Sequence, residues 1–172
     1  MSFDITSYIR DIHDFPKDGI LFKDITPVLS NPKALTGTVE ALLKMAEGLK
    51  VDKVVAMESR GFMFGTLLAA RLGAGFVPVR KPGKLPFSTL KEEYALEYGT
   101  DALEMHTDAI QEGDHVLIHD DVLATGGTAE ATVKLVERAG GKVVQLSFLM
   151  DLLFLNGRDR LQEYEVKSLV SY

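Results

Sequence analysis

Residues 115–150 constrain the fold of this chain more than any other stretch. An apolar run, His115 to Ile118, leads through His119 into two adjacent carboxylates, Asp120 and Asp121, and then into a loop of small residues, Ala124-Thr125-Gly126-Gly127-Thr128. A helical pattern follows from Thr128 to Ala139, stopped by Gly140-Gly141, and a second apolar strand runs from Lys142 to Met150. Strand, helix and strand in that order predict neighbouring parallel strands with a helix laid across them.

The same alternation begins upstream. Asn31-Pro32 is a good helix start, a capping residue followed by proline in the first turn, and Leu35, Val39, Leu42, Ala46 and Leu49 recur at helical spacing. Val54 to Met57 reads as a buried strand, Phe62 to Leu72 as a helix ended by Gly73, and Gly75 to Val79 as another strand. The pattern predicts an α/β fold: a central, mostly parallel sheet flanked by helices. In such sheets ligands sit beyond the carboxyl ends of the strands, where Glu58-Ser59-Arg60, Arg80-Lys81 and Asp120-Asp121 all fall.

Chemistry concentrates at residues 116–128. Gly126 and Gly127 leave room for backbone N–H groups to close around a phosphate, with the positive end of the following helix behind them. Asp120 and Asp121 are one residue apart, so if the strand pattern holds they face opposite ways, and such a pair suits diol hydroxyls or hydrated Mg2+ better than an acid–base dyad. A plain strand–turn–helix corner with acidic N-capping would use the same residue types. Composition narrows the classes. A chain of 172 residues, 46% hydrophobic, suits one domain spanning 1–172, and a net charge of −6 disfavours a nucleic-acid or anionic-membrane surface. Zero cysteines excludes disulfides and thiolate metal sites; no apolar run approaches a membrane span, and Met1-Ser2-Phe3-Asp4 lacks the features of a signal peptide. A cytoplasmic protein is the expectation.

The string Val116 to Thr128 closely resembles the signature of the type I phosphoribosyltransferases, which bind phosphoribosyl pyrophosphate. It departs from the family pattern at His119, where an apolar residue is usual; a lone histidine at a strand end reads as packing, and no role is assigned to it. Phe15 to Pro27, Glu58-Ser59-Arg60-Gly61-Phe62, Arg80 to Pro86, Tyr94 to Gly99 and Asn156-Gly157-Arg158 extend the resemblance to the adenine phosphoribosyltransferase family over nearly the whole chain.

That resemblance implies transfer of the phosphoribosyl group to adenine, giving AMP and pyrophosphate, by a homodimer that uses Mg2+, held mainly through substrate oxygens and water. It implies that Asp120 and Asp121 hold the ribose hydroxyls and that Ala124, Thr125, Gly126, Gly127 and Thr128 wrap the 5′-phosphate. Arg60, with backbone around Ser59, would meet the leaving pyrophosphate at a cis Glu58-Ser59 peptide, and Arg80, Lys81 and Lys84 would add positive charge, Arg80 or a neighbour reaching across the dimer. Glu97 matches the family's general acid/base and Tyr98 would pack near the base. Adenine would lie between Ala124 and Leu152, its edge read by backbone of Leu21 and Lys23 in a small N-terminal hood, residues 1–30. Residues 81–98, rich in Pro, Gly and mixed charge, read as one long irregular segment: by resemblance the flexible catalytic loop, by composition alone equally a surface loop. Two rival readings share the signature: a phosphoribosyltransferase for hypoxanthine, xanthine, orotate or uracil, and a non-enzymatic regulator that keeps the sugar-phosphate pocket as an effector site.

Overall fold

A computed structural model describes residues 4–96 and 99–172. Five parallel strands form the central sheet in the order β4-β3-β7-β8-β9, with β3 at Lys53–Met57, β4 at Gly75–Val79, β7 at His115–Leu123, β8 at Lys142–Asp151 and β9 at Val166–Ser171. Two antiparallel hairpins stand beside it: β1 (Arg10–His13) with β2 (Leu21–Asp24), and β5 (Thr89–Ala95) with β6 (Thr100–His106). Four helices complete the fold: α1 (Thr26–Ser30), α2 (Pro32–Met45), α3 (Arg60–Leu72) and α4 (Gly127–Arg138).

Alternation along the strands explains the layers. Successive side chains point to opposite faces, so Val55, Val116 and Ile118 join one core with Leu135 and Val136 of α4 and Leu103 and Met105 of β6. Val54 and Leu117 join the other, with Leu42 of α2 and Phe64 and Leu68 of α3. A parallel sheet covered on both faces needs continuous apolar strands, as β3 and β7 have. Asn31 caps α2 as expected, its side chain accepting from the N–H groups of Lys33 and Ala34 at 3.0 Å. Gly73 ends α3 at φ 67°, a conformation that suits glycine.

Two expectations need correction. The strand expected over His115–Ile118 continues to Leu123, carrying Asp120 and Asp121 on the strand itself; pairing of Asp120 with Phe148 and Val122 with Met150 sustains it where polarity suggested a stop. Residues 81–98 are not one irregular segment, because 89–95 form β5. Leu90 and Tyr94 pack against the core with Glu92 between them on the same face, and the charges hide the alternation. The hairpin β1–β2 and the edge strand β9 carried too little apolar signal to be anticipated.

Candidate active site

The site is built at the carboxyl ends of β3, β7 and β8. Leaving β7, the chain turns through Ala124-Thr125-Gly126 into α4, with Gly126 at φ 82°. A Cβ at Gly126 would lie 2.4 Å from the carbonyl oxygen of Gly157, and one at Gly157 would lie 2.3 Å from the carbonyl oxygen of Ala124. Two backbones therefore touch where only glycine fits, which explains the Asn156-Gly157-Arg158 string. Arg158 holds that segment down by donating from Nε to Asp151, at 2.5 Å, where β8 ends fully buried. The loop encloses a cavity of about 140 Å3 lined by Asp120, Leu123, Ala124, Thr125, Gly126, Thr128 and Phe148. The first-turn N–H groups of α4, which have no carbonyl partners inside the helix, border it.

The two carboxylates part company. Asp121 is buried and accepts from Arg60 Nε at 2.5 Å. Asp120 accepts a local bond from the N–H of Asp121, at 2.9 Å; burial first, then the neighbouring Asp121 charge, push its carboxyl well above the usual range. Gly61 makes this possible, since a Cβ there would stand 2.8 Å from Asp120 Oδ1 and 3.1 Å from the carbonyl oxygen of His119. Both aspartates line a second cavity of about 300 Å3 with Glu58, Ser59 and Arg60.

The cationic side of the rim converges on Glu58, a residue to which the sequence reading gave no role. The Glu58-Ser59 peptide is cis, as the resemblance implied, and the Phe15-Pro16 peptide is cis as well. Glu58 accepts from the N–H of Lys81 at 2.8 Å, from Arg80 Nε at 3.2 Å and from Lys84 Nζ. Burial opposes its ionisation, but Lys84, the Lys81 N–H and Arg80 together hold its carboxyl below the usual range. The Lys81 ammonium turns instead to Asp101 and to the Tyr94 hydroxyl, and against the penalty of burial those partners keep its pKa above that of a free lysine. Arg80, Lys81 and Lys84 are thus brought to the rim, each already paired with an acidic side chain. Run together in sequence, they resemble ordinary solvated charge, and nothing there shows which carboxylates gather them.

The hood reaches the site at two points. The guanidinium of Arg60 lies 5.2 Å from the ring centroid of Phe22, between Leu21 and Lys23 on β2. Lys23 donates to Asp11 at 2.7 Å and stands 3.8 Å over the ring of Tyr172, whose carbonyl accepts from the N–H of Leu153. The N–H of Leu152 donates to the carbonyl of Leu123 at 2.9 Å, which sets Leu152 beside the start of the Ala124 loop. Glu97 and Tyr98 lie outside the described residues. His119 is fully buried on the face toward α3, its ring beside Gly65, and burial pushes its imidazole down to about 4.

A glycine-bearing loop at a helix N-terminus, an acidic pair and a set of cations thus share one rim. Residues 26–170 match the model of the phosphoribosyl transferase domain family. An adenine phosphoribosyltransferase of Flavobacterium johnsoniae is 61% identical over 168 residues, spanning 98% of this chain and 99% of that protein. The crystal structure of adenine phosphoribosyltransferase from Thermoanaerobacter pseudethanolicus superposes with a TM-score of 0.96 at 58% identity, covering 98% of each chain. The Saccharomyces cerevisiae enzyme, complexed with an imino-altritol bisphosphate and adenine, superposes at 0.91 with 41% identity over 96% of each.

Proposed function

The chain belongs to the phosphoribosyl transferase family, and from that membership we propose that it transfers the 5-phosphoribosyl group of phosphoribosyl pyrophosphate to N9 of adenine, giving AMP and pyrophosphate. The observation that carries the reading is the mutual contact of Gly126 and Gly157 beneath a helix N-terminus, one strand end away from Asp120 and Asp121. Such a loop suits a phosphate, and the adjacent carboxylates suit ribose hydroxyls. The match to adenine phosphoribosyltransferases over nearly the full length selects the base.

The roles follow from charge. Breaking the C1–pyrophosphate bond leaves positive character on the ribose and negative charge on the departing group, so Arg60 and the backbone around Ser59 meet the latter. Arg80 and Lys84 exchange their bonds to Glu58 for pyrophosphate oxygens, and Lys81 adds positive charge from its place beside Asp101. Asp121 keeps the Arg60 guanidinium oriented, since the bond through Nε leaves the terminal nitrogens as donors. Glu97 holds or moves the proton at the purine ring, with Tyr98 near the base, and residues 81–98, strand β5 included, cover the site and exclude water that would capture the ribosyl centre. Adenine lies between Ala124 and Leu152 and is read by backbone of Leu21 and Lys23.

Mg2+ fits this donor set, since Asp120 and Asp121 present hard oxygens to one cavity. Held mainly by substrate oxygens and water, such an ion would neutralise pyrophosphate charge. A cytoplasmic homodimer, with Arg80 or a neighbour reaching the partner's site, completes the proposal. Incubation of the protein with adenine, phosphoribosyl pyrophosphate and Mg2+ is expected to yield AMP and pyrophosphate in equal amounts. Absence of AMP from active, folded protein would refute the reading.

A further inference from the structure

We infer that Tyr94 is a positioning residue that fastens the connection after β4 and the β5–β6 hairpin to the phosphate loop; the inference rests on the transfer reaction proposed above. Tyr94 lies near the end of β5 and is half-buried. Its ring packs on Gly127, so closely that a Cβ there would stand 3.3 Å from the ring's Cδ2. Its hydroxyl accepts from Lys81 Nζ at 3.1 Å and donates to Asp101 Oδ2 at 3.2 Å, and Asp101 is its cross-strand partner on β6. Lys81 closes the triangle by pairing with Asp101.

Farther up the same strand, Arg138 of α4 donates to the carbonyl of Lys91 at 2.7 Å and to Glu92 at 2.8 Å. The hairpin is therefore tied to α4 at two places, and Tyr94 is where the tie meets the first residue of the helix that receives the phosphate. Glu97 follows three residues later in the chain. Ring and hydroxyl divide the work: the ring bears on the loop at Gly127, and the hydroxyl passes that constraint to Lys81 and to the hairpin.

The two parts are separable by substitution. Tyr94→Phe keeps the ring and loses two hydrogen bonds; kcat is expected to fall about fivefold or more, with KM for phosphoribosyl pyrophosphate and binding of ribose 5-phosphate changed less than about twofold. Tyr94→Leu removes the ring from Gly127 and is expected to weaken ribose 5-phosphate, titrated by calorimetry, by about fivefold. A residue that only fills space would lower the melting temperature and leave kcat of the folded fraction at the wild-type value. Wild-type kcat in Tyr94→Phe overturns the hydroxyl's role, and undiminished ribose 5-phosphate affinity in Tyr94→Leu overturns the ring's. Failure of the wild-type protein to form AMP would refute the reaction instead. The titration tells the two failures apart because it reads the loop without turnover.

Discussion

Replacing Gly126 by alanine tests the phosphate loop where the backbone is tightest. Two effects add. At φ 82° an L-residue with a Cβ is disfavoured by about 1–2 kcal/mol. The new Cβ would also lie 2.4 Å from the carbonyl oxygen of Gly157, a backbone atom held by the Arg158–Asp151 ion pair, and relief of such overpacking costs about 1–3 kcal/mol. Gly126→Ala is therefore expected to lose about 2–5 kcal/mol of stability. Gly48 is an internal control, since it has the same φ of 82° but nothing within 4 Å of its ideal Cβ. Gly48→Ala should show only the conformational part, about 1–2 kcal/mol. Urea unfolding of both variants measures the difference, and titration with phosphoribosyl pyrophosphate should show weakened binding in Gly126→Ala alone. Equal destabilisation of the two variants, with unchanged affinity in both, would refute the contact between the two loops as the reason for glycine at 126.

Further outcomes follow from the same geometry. Asp120→Ala and Asp121→Ala should each weaken phosphoribosyl pyrophosphate by about 1–3 kcal/mol in calorimetric titration, and unchanged affinity in both would remove them from the site. Glu97→Ala should lower kcat by roughly 10²–10⁴-fold with little change in phosphoribosyl pyrophosphate affinity, read by single turnover at saturating substrates. His119 should make folding sensitive to mild acid. Its imidazole is held down to about 4 when folded and titrates near 6.5 when unfolded, so its contribution is complete above pH 6.5 and is lost as pH falls toward 4, at most about 3 kcal/mol. His119→Leu should flatten the stability curve over that range, and superimposable curves for the two proteins would contradict this.

The residues that sequence reasoning located best are those whose physics is local. Asn31-Pro32 and Gly73 mark helix ends through backbone chemistry that operates within one turn, and both do so in the fold. The apolar run at Val54–Met57 needs no partner to be recognised, because a strand buried on both faces has no polar alternation to disguise it, and Gly75–Val79, at the sheet edge, is legible from its apolar composition. The Gly126-Gly127 turn was legible as a helix start, whereas the strand before it was read as ending at Ile118 and instead carries Asp120 and Asp121.

What escaped was chemistry made by distant pairs. Glu58 gathers Arg80 and Lys84 across more than twenty residues, and Asp121 claims Arg60 across 61, neither of which any periodicity encodes. The contact of Gly126 with Gly157 is likewise invisible until two loops meet, although both glycines stood in recognised strings. Strand β5 was missed because its solvent face carries Lys91 and Glu93, which read as loop composition until α4 shows what Leu90 and Tyr94 pack against.

The central claim is transfer to adenine in preference to other purines, and a competition between bases tests it most directly. With adenine and hypoxanthine together at equal concentration, limiting phosphoribosyl pyrophosphate and Mg2+, the ratio of AMP to IMP reports the ratio of kcat/KM values. The account predicts AMP in excess by at least about 10²-fold, because an edge read by backbone groups and covered by the bound base leaves donors or acceptors unpaired when the 6-amino group becomes a 6-oxo group. Comparable amounts of the two nucleotides would contradict it.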